Sequence, residues 1–213
     1  MKKTAVIFDV TGKRRLANHL WNFISVYAYC LERGYGCDNH CFWHDDYHKY
    51  FQIPVQNPAI KTLFYSSIWG NWTRKRWLYQ IYAGIVRKVW KNQVLQSDQD
   101  NVFSLPPTNI NTVQTTLLKT VENNESPVIF FDGWVFRNPA GIKKYHQRIR
   151  KYFRPRDDIW QKTEQYLRAI RQRFPKVVGV HIRQGDYRIP DPAKIYFSPV
   201  EVREILEEYL KLL

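Results

Sequence analysis

The chain has 213 residues, of which 44% are hydrophobic and 16% aromatic, and its net charge is +14. This hydrophobic content is ample for a packed core and excludes wholesale disorder, and the length suits one large domain or one domain with part of another. The charge suits an anionic partner, namely nucleic acid, an anionic membrane surface or a phosphate-bearing small molecule, with a merely solvated basic surface as the alternative. Three cysteines and no secretory segment predict free thiols in a cytoplasmic protein.

The N-terminal segment predicts a strand, a basic loop and a helix. Residues 4–9 (TAVIFD) are typical of a buried strand, 10–15 (VTGKRR) of a glycine-containing loop, and 16–33 have apolar residues at helical spacing. Gly34 and Gly36 end this helix as a C-terminal cap would. Such a unit can bind phosphate at the helix N-terminus, although the loop matches neither Walker A nor G-x-G-x-x-G.

The rest of the chain continues to alternate between strands and helices. We predict strands at 37–43, 61–66 and 128–131, and helices over 112–121, 140–153, 157–174 and 199–213. In the helix over 157–174, Ile159, Tyr166, Ile170 and Phe174 are expected to face inward. Residues 91–97 (KNQVLQS) do not predict a buried strand. The alternation predicts an α/β fold with a mainly parallel sheet flanked by helices.

A further helix, predicted from Thr73, is basic and amphipathic, with Trp77 and Trp90 near its ends. Its apolar stripe is predicted to contain Leu78, Ile81, Tyr82, Ile85 and Val89. We expect this stripe to pack on the domain while the basic ends stay solvated. The alternative is that the helix lies on an anionic membrane.

Two groups of residues resemble metal ligands in type but not in spacing. His40, Cys41, His44 and His48 fit no standard zinc pattern. Asp98 and Asp100 form a D-x-D pair that could share a divalent ion, but the surrounding sequence favours a solvent-exposed acidic turn. We therefore expect no metal site.

Residues 177–187 (VVGVHIRQGDY) join an apolar, β-branched run to a polar cluster. We predict a buried parallel strand that delivers a loop at its carboxyl end, where open α/β sheets bind ligands. The Arg183 guanidinium suits bidentate contact with phosphate, and His181 lies two residues earlier on the same strand face. Asp186 can fix Arg183, and Tyr187 can pack against a sugar ring. A structural Arg183–Asp186 ion pair is the alternative.

The motif VHIRQGDY resembles H-x-R-R-x-D-Y of the α-1,2-fucosyltransferases, glycosyltransferase family 11. Residues 15–21 (RLANHLW) resemble that family's G-x-L-G-N-Q-[ML]-F loop and helix, and 131–153 are similar to its G-Y-[WF]-Q-x-x-x-Y-F region. Gln184, Ala17 and His19 depart from the family residues. Together these departures resemble those of a divergent member, or of one with an altered donor or lost activity.

The resemblance implies a GT-B-like architecture of Rossmann type, GDP-fucose as the donor, inversion at the sugar, and neither metal nor cofactor. It implies that Arg183 contacts the donor diphosphate and that His181 lies beside the phosphate or fucose. Asp186 would support the loop, and Tyr187 would lie on the same side of the donor site as Arg183 and His181. Arg15 and Asn18 would form the opposite wall from the N-terminal loop. No residue is assigned as the general base.

The expected domain organisation follows from the same resemblance. Residues 1–175 would form an N-terminal α/β domain with an insertion around 55–125, and 176–213 would begin the donor-binding domain. In the family this domain continues well beyond the motif, whereas 26 residues follow Tyr187 here. We therefore expect the second nucleotide-binding domain to be incomplete.

Three functional hypotheses follow. The first is a cytoplasmic fucosyltransferase, peripheral to the inner membrane, that transfers fucose to a galactose-containing glycan in α-1,2 linkage. The second is an inactive sugar-nucleotide or glycan-binding remnant of the same fold. The third, nucleic-acid binding, is motivated by charge alone and is supported by no recognition motif. The expected partners are therefore a nucleotide sugar, a glycan acceptor and an anionic membrane surface, but no nucleic acid.

Overall fold

The structure is a computed structural model that describes residues 3–9, 16–41, 47–53, 72–98, 102–106, 112–174, 176–179 and 198–211. The chain divides into two compact units, Met1–Lys162 and Thr163–Leu213. Within the described ranges, no helix is both long enough and apolar enough to cross a bilayer.

Six strands and seven α-helices lie in the described ranges. The strands are β1 Thr4–Phe8, β2 Gly36–Asn39, β3 Val94–Gln96, β4 Phe103–Ser104, β5 Val128–Asp132 and β6 Phe136–Arg137. The helices are α1 Leu16–Arg33, α2 Trp72–Val89, α3 Thr112–Asn123, α4 Pro139–Lys144, α5 His146–Tyr152, α6 Asp157–Arg173 and α7 Pro199–Leu210. Short 3₁₀ turns occupy Tyr47–Tyr50 and Lys91–Gln93.

The main sheet has four parallel strands in the order β2-β1-β5-β3. β1 and β5 are its inner strands, and Ala5 of β1 lies opposite both Cys37 of β2 and Ile129 of β5. Continuous apolar runs form these inner strands because strands of a helix-covered parallel sheet are buried on both faces. The predicted α/β class with a parallel sheet flanked by helices is confirmed. β4 and β6 form a second, two-stranded parallel sheet.

Helix α1 covers the sheet with a buried face that includes Phe23, Val26 and Tyr29. The Tyr29 hydroxyl donates to the carboxylate of Glu122 in α3, and Arg33 contacts the same carboxylate at 2.8 Å. Burial raises the pKa of Tyr29, so its hydroxyl stays a donor at physiological pH. This contact ties the end of α1 to α3.

Several predicted boundaries need correction. β3 is a strand, although its polar sequence predicted none, because pairing with β5 and burial of Leu95 decide its conformation. β2 ends at Asn39, and His40 and Cys41 already have helical geometry. The single helix expected over 140–153 is two helices, α4 and α5, with a break at Tyr145.

The buried strand predicted at the start of VVGVHIRQGDY is wrong in its described part. Residues 176–179 belong to no strand, and Val177 and Val178 are 43% and 51% exposed. A β-branched run becomes a buried strand only where a partner strand takes it up, and the order of the described sheet contains no such neighbour. Of the inward positions expected over 157–174, Tyr166 and Phe174 are wrong because both are exposed, whereas Ile159 and Ile170 are half-buried.

Candidate functional site

The carboxyl edge of the main sheet has a topological switch point between β1 and β5. From β1 the chain moves outward through α1 to β2, whereas β3 lies on the far side of β5. Ligands of open α/β sheets bind at this kind of position. Asp9 directly follows β1 and Asp132 ends β5, and both are buried, each with an exposed fraction of 3%.

A glycine turn closes this edge after β5. Gly133 has a φ of +124°, and its amide donates to the Phe8 carbonyl at 2.8 Å. A Cβ at this position would lie 2.0 Å from the Ser97 carbonyl oxygen and 2.7 Å from its hydroxyl. Since only glycine tolerates both this backbone conformation and this approach, the residue fixes the ends of β1, β3 and β5 relative to one another.

Asn22 of α1 holds the segment that follows the turn. Its amide nitrogen donates to the Gly133 carbonyl at 3.2 Å, and its oxygen accepts from the Phe136 amide at 2.9 Å. Asn22 is buried, so these bonds replace water for two backbone groups that would otherwise be unsatisfied. Helix α1 and the segment after β5 are therefore joined at the carboxyl edge.

Helix α2 lies across the same edge and is bonded to it through polar side chains. The Tyr79 hydroxyl accepts from the Asp9 amide at 3.0 Å and lies 3.2 Å from the Cys41 sulfur. Burial raises the pKa of Tyr79 well above its ordinary value, so the ring stays neutral. This contact fixes the first half of α2 to the ends of β1 and β2.

His40, directly after β2, provides a second contact with α2. Its Nδ1 lies 2.8 Å from the Tyr82 hydroxyl, and its Nε2 lies 3.8 Å from an Asp38 oxygen, which is too far for a hydrogen bond. Burial lowers the pKa of His40 to about 3, and this effect outweighs the nearby carboxylate. The imidazole is therefore neutral at physiological pH, and we do not regard the Asp38 contact as an ion pair.

The last contact of α2 is an ion pair. Arg87 Nε donates to Asp132 Oδ2 at 2.6 Å, with the arginine half-exposed and the carboxylate buried. Burial raises the pKa of Asp132, and the bond to Arg87 opposes that rise without cancelling it. The hydrogen bond to Asp132 raises the pKa of Arg87. A charge-assisted bond of this kind fixes the C-terminal half of α2 to β5.

These contacts bury the strand ends under α2, so the sheet edge itself is not an open site in the described residues. Asn18, in the first turn of α1, is an exposed polar residue near this edge. Because α1 connects two parallel strands, its N-terminus lies at the carboxyl edge. That turn has no acidic residue, and a helix N-terminus favours an anion.

Of the predicted donor-site residues, Asn18 is the one that the structure describes. His181, Arg183, Asp186, Tyr187 and Arg15 lie outside the described residues, as does the strand predicted at 61–66.

The sequence did not point to the residues that bond α2 and the Gly133 turn to the carboxyl edge. Two identical strand endings, Phe-Asp at Asp9 and Asp132, are visible in the sequence and could have marked the edge. The partners of these strand ends, Tyr79, Arg87 and Asn22, carry no such signal.

The metal candidates do not form a cluster in the part of the chain that the structure describes. No group of three or more histidine, cysteine, aspartate or glutamate residues there could hold a metal ion. His40 and Cys41 contact separate tyrosines of α2. Asp98 is exposed after β3, as expected of an acidic turn.

A basic cleft of about 580 Å³ lies beside α5 and the start of α6. The described residues that line it combine cationic and aromatic side chains: Gln147, Arg150, Lys151, Phe153, Arg154, Pro155 and Trp160. Its volume is that of a small-molecule site. Arg154 is already paired with Asp157 at 2.8 Å, however, and the other cations are exposed, so the described lining offers no buried polar group to orient a ligand.

Comparisons with protein-family models, with curated proteins and with solved structures gave no match.

Proposed function

We propose that the chain is a metal-independent, inverting glycosyltransferase of GT-B-like architecture that transfers fucose from GDP-fucose to a galactose-containing glycan. We place the reaction in the cytoplasm, at the membrane where such glycans are assembled. The observation that carries the proposal is the motif HIRQGDY at 181–187, whose residue types and order resemble the donor motif of the α-1,2-fucosyltransferases.

The position of Asn18 also supports the proposal. The family resemblance assigns this residue to the donor site, and it is exposed in the first turn of α1, at the carboxyl edge of a parallel sheet. A diphosphate that meets the N-terminus of α1 would lie at the positive end of the helix dipole, which favours negative charge. A nucleotide diphosphate therefore suits this end of the fold.

The proposed reaction is a single displacement. The acceptor hydroxyl oxygen forms a bond to C1 of fucose while the bond from C1 to the β-phosphate oxygen breaks, and GDP leaves with the bonding electrons. The hydroxyl proton passes to a general base that we do not assign. Arg183 stabilises the charge that develops on the diphosphate, which is the role a metal ion takes elsewhere.

The other proposed residues bind and orient the donor. His181 donates a hydrogen bond to the phosphate or to fucose, and Asp186 holds the loop that carries Arg183. Tyr187 packs against a ring of the donor, and Arg15 contributes positive charge from the opposite wall. None of these residues needs to exchange a proton with the acceptor.

Isothermal titration calorimetry with GDP tests the donor site. Arg183→Ala should weaken binding roughly tenfold or more, because a hydrogen-bonded charge contributes about 1.5–3 kcal/mol. Arg171→Ala, which removes the same charge from an exposed position of α6, is the matched control and should bind as the wild type does. Equal affinities of the Arg183 and Arg171 variants would remove Arg183 from the donor site.

A transfer assay then separates the enzyme from an inactive relative of the same fold. GDP release from GDP-fucose is followed with and without a galactose-terminated acceptor. Acceptor-dependent release that Arg183→Ala abolishes supports the transferase. GDP binding without any release supports the alternative, a sugar-nucleotide-binding remnant.

A further inference from the structure

Helix α2 has two apolar faces, and the structure buries the one that the sequence did not favour. The buried face contains Tyr79, Ala83 and Val86, with exposed fractions of 2%, 0% and 1%. The expected stripe instead faces solvent at Ile81, which is 40% exposed. The prediction that this stripe packs on the domain is therefore wrong for Ile81, Ile85 and Val89, whereas Tyr82 does pack against the core. The side chain of Leu78 lies outside the described residues.

The polar contacts of α2 explain why this face is buried. Tyr79 bonds to the Asp9 amide, Tyr82 contacts His40, and Arg87 pairs with Asp132. These contacts span more than two turns of the helix. Rotating α2 to bury the other face would break all three and leave buried polar groups unsatisfied. The register of α2 is therefore fixed by bonding rather than by hydrophobicity.

What remains exposed is an outer stripe, defined here as Trp77, Ile81, Ile85 and Val89. These residues recur every four positions and so lie along one side of the helix. Their exposed fractions are 62%, 40%, 50% and 64%. Scattered apolar residues on a surface need no explanation, but a contiguous row over three turns is typical of an interaction surface.

Positive charge accompanies the outer stripe. Lys88 lies one turn from both Ile85 and Lys91, and both lysines are exposed. Among the described residues, no carboxylate pairs with either lysine. The chain as a whole also carries a net charge of +14. A partner for this surface must therefore offer both apolar and negatively charged groups.

We propose that the outer stripe of α2 docks the protein on an anionic lipid bilayer. A basic helix with an apolar side lies in the interface plane, its apolar residues inserted at the boundary of headgroups and acyl chains. Trp77 has the ring type that is enriched at this depth, and Lys88 and Lys91 would contact lipid phosphates. The opposite side of α2, bonded to the sheet edge, transmits the attachment to the domain.

A lipid surface accounts for this combination better than a second copy of the chain. A second copy would bring the same positive charge to the interface, which opposes association. A bilayer containing anionic lipid supplies the opposite charge together with an apolar interior. The inference does not depend on fucosyl transfer, because no donor-site residue belongs to the stripe.

Co-sedimentation of the full chain with lipid vesicles tests the proposal. Phosphatidylcholine vesicles with and without phosphatidylglycerol are compared. The triple variant Ile81→Ser, Ile85→Ser, Val89→Ser should lose binding to the anionic vesicles at least about tenfold, because three exposed apolar side chains no longer insert. Lys88→Gln with Lys91→Gln should weaken binding about fivefold per lysine, and added salt should weaken the wild type.

Val113→Ser with Leu117→Ser in α3 is the matched control, since both positions are exposed, at 69% and 50%, and lie outside α2. This control should bind vesicles as the wild type does. All variants should keep the wild-type urea midpoint, because exposed positions contribute little to stability. A shifted midpoint in the triple variant would show that the stripe is buried and would overturn the proposal.

Three results would also overturn it: no binding of the wild type to anionic vesicles, equal binding of the triple and control variants, or equal binding to neutral and anionic vesicles. Light scattering tests whether a second copy of the chain occupies the stripe instead. A concentration-dependent dimer that the triple variant loses would assign the stripe to a second copy instead.

Discussion

Gly133 is the residue on which the carboxyl edge depends most directly, so Gly133→Ala is the sharpest structural test. Its φ of +124° lies in a region that residues with a side chain rarely adopt, and a Cβ would approach the Ser97 carbonyl to 2.0 Å. We expect backbone strain to destabilise the folded state by about 1–3 kcal/mol and overpacking to destabilise it by about 1–3 kcal/mol more. The sum is a loss of about 4 kcal/mol in the free energy of unfolding.

Gly34→Ala is the matched control. Gly34 also has a positive φ, +68°, but nothing lies within 4 Å of the position a Cβ would take. Its substitution should cost about 1 kcal/mol, from the left-handed conformation alone. Urea denaturation measures the free energy of unfolding of both variants. In thermal denaturation, the melting temperature should fall by about 3 °C for Gly34→Ala and about 12 °C for Gly133→Ala. Equal losses would refute the claim that close approach to Ser97 fixes the edge.

The polar contacts at the edge give two further predictions. Because the folded pKa of His40 is depressed to about 3 from 6.5, its neutral form stabilises the fold above pH 6.5, and this contribution is lost as pH falls towards 3. Urea titrations should therefore show a loss of about 2 kcal/mol between pH 7 and pH 5 that His40→Asn largely removes, and an unchanged slope in the variant would contradict this. Asn22→Ala should cost about 2–4 kcal/mol because the Gly133 carbonyl and the Phe136 amide lose their partners, whereas Asn18→Ala should stay within about 0.5 kcal/mol. Similar losses in these two variants would show that Asn22 does not hold the edge.

Much of the parallel sheet and its helices could be predicted from the sequence, because long periodic segments and apolar runs carry their own signal. β5 follows the run VIFF, and α1 begins and ends at the predicted residues, 16 and 33. β3 carries no such signal. It has three residues (VLQ) inside the otherwise polar segment 91–97, and its conformation comes from pairing with β5, which is not adjacent in sequence.

The face of α2 shows why the site was harder to predict than the fold. Two stripes at helical spacing compete in this helix, and Ile81, Ile85 and Val89 make one of them more hydrophobic. The other is buried with Tyr79, whose hydroxyl accepts from the Asp9 amide, and the hydroxyl of Tyr82, at the border between the two stripes, reaches His40 after β2. Hydrophobic periodicity cannot register such long-range bonds.

The central functional claim is that a nucleotide diphosphate binds at the carboxyl edge beside the N-terminus of α1. Calorimetric titration of GDP into the wild type, Asn18→Ala and Asn123→Ala tests it most directly. Asn123 is an exposed asparagine at the end of α3 and serves as the control. We predict that Asn18→Ala binds GDP roughly tenfold more weakly while Asn123→Ala is unchanged. A wild type that does not bind GDP, or an Asn18→Ala variant that binds it as tightly as the control, would contradict the claim.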